Sequence, residues 1–182
     1  MSDLQQLIDA LSPETGVHIG GEWQKGELGT YDVDDPADRA ILASVANAGS
    51  VQATTAVDAA AKVAAEWAAT SPRRRSELLH RVFELMHRDA ADLAALIVAE
   101  NGKSTADARA EVAYAAEFFR WFAEEAVRGA GTVATAPSGA NRIIVVRQPV
   151  GIAVMVTAVE ALTGVARQTL TDLRVTLRGA GP

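Results

Sequence analysis

Three groups of side chains have types and spacings that could do chemistry. His80, Glu84 and His87 stand at i, i+4 and i+7, so one helical face would present two imidazoles and a carboxylate, a set able to ligate a divalent metal. Arg73, Arg74, Arg75, Arg81 and Arg88 surround them and could grip phosphate, but Glu77, Glu84 and Asp89 balance their charge. A salt-bridged face or partner interface is the simpler reading, and no metal site is assigned. Glu117, Glu124 and Glu125 offer carboxylates for acid–base work, yet Arg120 and Arg128 lie three or four residues away, which on a long helix gives ion pairs. No G-x-G-x-x-G, Walker loop, G-x-S-x-G or H-E-x-x-H occurs, so motif chemistry assigns no catalytic residue.

Composition narrows the field further. The 182 residues contain no cysteine, which removes thiol nucleophiles, disulfides, zinc-thiolate sites and iron–sulfur clusters. Hydrophobic residues make up 49% and charged residues 22%, the profile of an ordinary folded chain able to bury a core without staples. With 17 Lys and Arg against 23 Asp and Glu, the net charge of −6 supplies no basic face for nucleic acid. No apolar run approaches the roughly 18 to 20 residues that span a bilayer. The stretch from Met1 to Leu11 lacks the basic start of a signal peptide, so the cytoplasm is the expected compartment.

The elements that must position any site follow from periodicity. Leu4, Leu7, Ile8 and Leu11 predict a short amphipathic helix before Ser12-Pro13. The run from Gly16 to Trp23 alternates β-formers with glycine and predicts a small hairpin continuing to Val33; Asp34-Asp35-Pro36-Ala37-Asp38 is turn chemistry, and Ile41 to Val45 a short strand. Residues 50–130 read as three or four helices. In the first, Val57, Ala60, Ala61, Ala64, Trp67 and Ala68 form the inward stripe. Ser71-Pro72 starts the next, with Leu78, Leu79, Val82, Leu85 and Met86 buried. Asp89 is placed to cap a third, with Leu93, Leu96 and Ile97 inward and a left-handed stop at Asn101-Gly102. Ser104 with Asp107 opens the longest, whose inward face is expected to carry Ala108, Val112, Ala115, Phe119, Phe122 and Ala126. Arg142 to Arg147 reads as a strand, Ile152 to Thr157 as a strand buried on both faces, and Leu162, Ala166, Leu170, Leu173 and Leu177 as the stripe of a last helix.

Taken in order, seven landmarks resemble one family. Ile19-Gly-Gly-Glu-Trp23, Asp35-Pro-Ala37, Ala64-Ala-Glu-Trp67, Glu100-Asn-Gly-Lys103, Glu111-Val-Ala-Tyr114, Phe118-Phe-Arg-Trp-Phe122 and Arg147-Gln-Pro-Val-Gly151 are similar to the amino-terminal part of NAD(P)-dependent aldehyde dehydrogenases. Trp121-Phe-Ala-Glu-Glu-Ala126 resembles the succinate-semialdehyde branch most. The resemblance covers about residues 16–157 and implies the α/β fold of that family's amino-terminal portion: helix-rich, with a small β-hairpin, a β oligomerisation arm and the first strand of an incomplete Rossmann-like sheet. It implies a helical part of the cofactor-binding domain over 1–131, the arm over 132–149, the first cofactor-sheet strand over 150–157 and a non-family tail over 158–182.

The resemblance also implies NAD or NADP as the parent family's cofactor, with Val156 and Thr157 at the strand end beside the nicotinamide ribose. It stops after Thr157. Family members continue with Pro-Trp-Asn-Phe-Pro, whose asparagine helps hold the developing oxyanion, whereas this chain reads Ala158-Val-Glu-Ala-Leu-Thr-Gly164. The general-base glutamate and the nucleophilic cysteine have no matching positions. The expectation is therefore a truncated aldehyde dehydrogenase, inactive alone. The alternative is a non-catalytic interaction protein, a homo-oligomer or one that joins full-length dehydrogenase subunits through the arm from Arg142 to Gln148.

Overall fold

In the computed structural model, residues 6, 14–129 and 131–155 are described. The predicted first helix falls almost entirely outside them, as do Val156, Thr157 and the predicted last helix.

Gly20 and Gly21, both with positive φ (61° and 87°), close the tight turn between antiparallel strands β1 (Val17–Ile19) and β2 (Glu22–Gln24). Two successive left-handed residues match the twist of a hairpin, which is why two glycines stand there. The hairpin does not continue to Val33 as expected. Lys25 to Gly29 turn the chain away, and β3 (Thr30–Asp34) pairs instead with β4 (Ile41–Ala46), in a register running from Thr30 opposite Ala46. Backbone bonds from Leu28 to the Asn47 carbonyl (3.0 Å) and from Asn47 to the Gly29 carbonyl (2.9 Å) fix this exchange. The β3–β4 connection is held by its aspartates: Asp35 Oδ1 accepts from the Ala37 amide at 2.8 Å, and Asp38 Oδ1 from the Ala40 amide at 2.9 Å.

Four helices follow: α1 (Ser50–Ala69), α2 (Pro72–Arg88), α3 (Ala90–Asn101) and α4 (Thr105–Arg128). Ser71 Oγ accepts from the Arg74 amide at 3.2 Å and Ser104 Oγ from the Asp107 amide at 3.1 Å, each satisfying a donor that the first turn leaves open. Asp89 occupies the cap position of α3 without a side-chain cap bond; its carboxylate is instead held by Arg88 at 2.7 Å. Gly102, at φ +64°, ends α3 in the left-handed region as predicted.

The core lies where α2 and α3 pack on α4. Val82 and Met86 meet Ala116; Leu93, Ala94 and Ile97 meet Ala108 and Val112; Leu42 of β4 joins Leu96 and Ala99 beneath the sheet pair. The expected inward face of α4 is corrected by part of a turn: Ala108, Val112, Ala116 and Ala123 are buried, Ala115 and Phe119 lie at the core's edge, and Phe122 is exposed. Small side chains on that line allow close approach of the neighbouring helices, and aromatic rings there would hold them apart. The expected stripe of α1 is corrected as well, since none of its residues is buried and Trp67 is half exposed. An alanine stripe offers little apolar area, and the element α1 mainly meets is the short strand β1.

After α4 the chain forms a hairpin of β5 (Thr132–Thr135) and β6 (Arg142–Val145), with Thr132 opposite Val145 and Thr135 opposite Arg142; every residue of both strands is exposed. The strand expected from Ile152, buried on both faces, is not formed over 151–155. Those residues join none of the three two-stranded sheets, and Val154 and Met155 are exposed. Burying both faces of a strand requires paired strands at its edges and helices above and below it, and the described residues provide neither. No described helix is long and apolar enough to cross a membrane.

Candidate functional site

The candidates of α2 do not converge. His80 Nε2 lies 3.8 Å from Glu84 Oε1, but Arg81 holds the same carboxylate at 3.1 Å, and the His87 ring sits edge-on to Phe83 with centroids 4.5 Å apart. Among the described residues no group of three His, Asp or Glu is arranged to hold a metal ion. The neighbouring arginines are engaged locally: Arg88 is bidentate to Asp89, and Arg75 Nη1 donates to the Thr70 carbonyl at the end of α1.

The carboxylates of α4 are likewise spent on ion pairs. Arg120 Nε donates to Glu117 at 2.9 Å, while Arg128 reaches Glu124 and Glu125, each at 3.0 Å. The bond to Glu117 raises the Arg120 pKa above its ordinary value, and the bonds to Glu124 and then Glu125 do the same for Arg128. These are surface pairs at helical spacing and form no acid–base dyad.

Two of the landmark segments do meet. A Cβ added to Gly102 would stand 2.9 Å from Pro36 Cγ, so the Asp35-Pro-Ala turn packs directly on the Glu100-Asn-Gly-Lys corner. Next to it, Lys103 Nζ binds Glu111 Oε2 at 2.7 Å and ties the corner to the second turn of α4. The Asn101 Nδ2 atom is buried here without a hydrogen-bond partner. This junction ties the α3–α4 corner to the β3–β4 connection.

On the side of α4 away from the core, Tyr114, Phe118, Trp121 and Phe122 line an open groove of about 320 Å³ with Glu117 at its border. Tyr114 and Phe118 meet edge to face with centroids 5.0 Å apart, and the four rings are 48 to 67% exposed. Sequence reasoning missed this face by assigning Phe122 inward. The alanines at 108, 116 and 123 were the available signal, because they mark the line of close approach and leave the rings outside it. The groove does not fit a dinucleotide: its ionisable lining is a carboxylate, where a diphosphate needs cations or amide donors. Val156 and Thr157, the cofactor-side positions implied by the resemblance, lie outside the described residues.

Among the described residues the site region is thus a helical layer with tied corners, a projecting hairpin and an exposed aromatic face. The chain belongs to the aldehyde dehydrogenase family, whose model matches residues 23–161. It is 46% identical over 117 residues to succinate-semialdehyde dehydrogenase of Paenarthrobacter nicotinovorans, covering 64% of this chain and 26% of that protein. It is 38% identical over 150 residues to the mitochondrial succinate-semialdehyde dehydrogenase of Homo sapiens, covering 82% of this chain and 28% of the other. The crystal structure of succinate-semialdehyde dehydrogenase from Burkholderia pseudomallei superposes with a TM-score of 0.72 at 38% identity, over 78% of this chain and 30% of that one. The chain thus spans about a quarter to a third of the length of the relatives it matches. Its fold is that of the amino-terminal portion of the family fold.

Proposed function

We propose that this 182-residue chain carries the scaffold of a succinate-semialdehyde-type dehydrogenase and by itself oxidises no aldehyde. The observation that carries this reading is the absence of cysteine from a chain of this family. Thiohemiacetal formation joins a thiolate sulfur to the aldehyde carbon, so the first covalent bond has no nucleophile here. The ion-paired carboxylates of α4 offer no substitute base. NAD or NADP belongs to the parent reaction, Val156 and Thr157 are the cofactor-side positions of this reading, and the cytoplasm is its compartment. The test is to mix the purified chain with succinate semialdehyde and either nucleotide and follow nicotinamide absorbance. No reduced nucleotide above the buffer rate is expected; measurable aldehyde-dependent NADH or NADPH would overturn the reading.

The exposed hairpin favours a second role. With every residue of β5 and β6 in water, the arm from Arg142 to Gln148 is free to add its edge to another sheet. In this reading the chain co-assembles with full-length dehydrogenase subunits. Co-expression with such a subunit discriminates, since a modulator co-purifies in fixed ratio and changes its activity, whereas an inert scaffold does neither.

A further inference from the structure

The apolar side chains left in water are not spread evenly along the chain. Of the 21 large hydrophobic residues exposed among the described residues, 14 lie between Tyr114 and Met155. Besides the hairpin they form two patches: the four rings along α4, and the run of Val150, Ile152, Val154 and Met155 that follows β6. Single exposed apolar side chains are ordinary, but contiguous patches mark faces that another element covers. We infer that these two patches together dock a separate polypeptide that carries the remaining part of the family fold. The inference rests on the scaffold reading and gives that scaffold a partner and a surface different from those of the arm.

The two patches share an end. Because β6 runs antiparallel to β5, the chain returns to the carboxyl end of α4, where a Cβ on Gly131 would stand 3.4 Å from the Val146 Cα. Val150 is within about 14 Å of Val146, and Trp121 lies about 10 Å back along α4 from Arg128, so one partner surface spans both patches. The area asks for both. At 150–250 Å² for a whole aromatic side chain, four rings that are 48 to 67% exposed offer roughly 350–600 Å², short of the roughly 800 Å² per partner of a stable interface. The run after β6, with Val150 98% and Met155 85% exposed, makes up the difference.

The nature of the surface selects the occupant. Glu117 is paired with Arg120 and Glu124 with Arg128, so the charges beside the rings cancel and the complementary surface is apolar. Residues 151–155 join no sheet, and burying them takes strands at their edges with a layer above and below. A second copy brings two-stranded sheets and the same unpaired run, so it cannot supply that setting. The relatives hold this layer as about a quarter to a third of a longer chain, with the same fold and 38% identity in the Burkholderia enzyme. The rest of such a chain has to cover the apolar faces of its own layer, and therefore carries the counterpart of these patches.

The test co-expresses the full chain with an affinity-tagged form of the Burkholderia enzyme from which the portion matched by this chain has been deleted. Docking predicts that both polypeptides are recovered as a soluble complex in equal amounts. Tyr114→Lys with Trp121→Lys should lower the co-purified chain at least tenfold, although both side chains face water and contribute nothing to the core. Val154→Lys with Met155→Lys should do the same from the second patch, on residues outside every helix and strand. Val57→Lys, on the exposed face of α1, should change nothing. A tagged partner that stays insoluble beside the chain, or purifies without it, overturns the proposal, as does a complex indifferent to both lysine pairs or equally sensitive to Val57→Lys. A complex lost with Ile144→Lys and kept with both pairs assigns docking to the arm and overturns it too. So does dimerisation of the chain alone that both pairs abolish, which would assign the patches to a second copy. Failure to dock leaves the scaffold reading standing, whereas NADH or NADPH formed without the partner removes that reading whether or not a complex forms.

Discussion

The helical layer and the hairpin that follows it are built from similar apolar residues and arrive at opposite ends. In α2, Leu85 has no exposed surface and lies among side chains of its own chain, while in β6 Ile144 is 68% exposed. The difference is one of closure. Helices satisfy their own backbone and need only one apolar face covered, which α2, α3 and α4 do for each other. A two-stranded ribbon leaves two edges and two faces open, and three or more strands or a covering helix are needed to complete it. Stability therefore resides in the first region and capacity for association in the second.

The sharpest way to break this comparison is Leu85→Ala. Large-to-small changes at buried leucines cost about 2–5 kcal/mol, so the urea midpoint should fall steeply while Ile144→Ala stays within about 0.5 kcal/mol. Equal losses at both sites would mean that the hairpin is packed in solution. Next in size is Gly102→Ala, which forces an L side chain into the left-handed region for about 1–2 kcal/mol and drives a Cβ against Pro36. Combining it with Pro36→Ala should recover only the steric part, and full recovery would show that backbone conformation contributes nothing there. Ser104→Ala is expected to cost about 0.5–2 kcal/mol by removing the cap of α4. Asp89→Ala should cost less, because that side chain makes no cap bond.

What was legible in the sequence was what is local. Ser71, Ser104 and Gly102 could be read because a cap or a helix stop is decided within a few residues, and the turn at Asp35 to Asp38 for the same reason. Partners distant in sequence were harder. The sequence from Gly16 to Val33 looks like one hairpin because strand propensity does not say which strand pairs with which, and β3 chose β4. Apolarity alone predicts an inward place for Phe122, although close helix packing selects for size as much as for hydrophobicity. The run from Ile152 has the composition of a buried strand, but composition cannot provide the neighbours that burial requires. Of the site, the ordered landmarks were legible and so was the missing thiol; the aromatic groove was not, because it is defined by what fails to cover it.

The smallest expected effect on stability is also the one that separates the two regions most cleanly. Ile144 faces water on a strand whose partner residue is Val133, and replacing it with lysine removes no buried contact, so the unfolding midpoint should move by no more than about 0.5 kcal/mol. Its effect belongs in association. A charge on an otherwise β-branched ribbon is one of the devices by which edge strands are kept from pairing. If the hairpin is the surface through which chains join, Ile144→Lys should leave the helical circular dichroism and the urea curve unchanged while sedimentation shifts toward the monomer. The same shift should be absent for Val57→Lys on the exposed face of α1, which carries no open strand edge. A loss of association with both substitutions would point to general apolar stickiness, and a loss with Val57→Lys alone would move the interface from the arm to the helix.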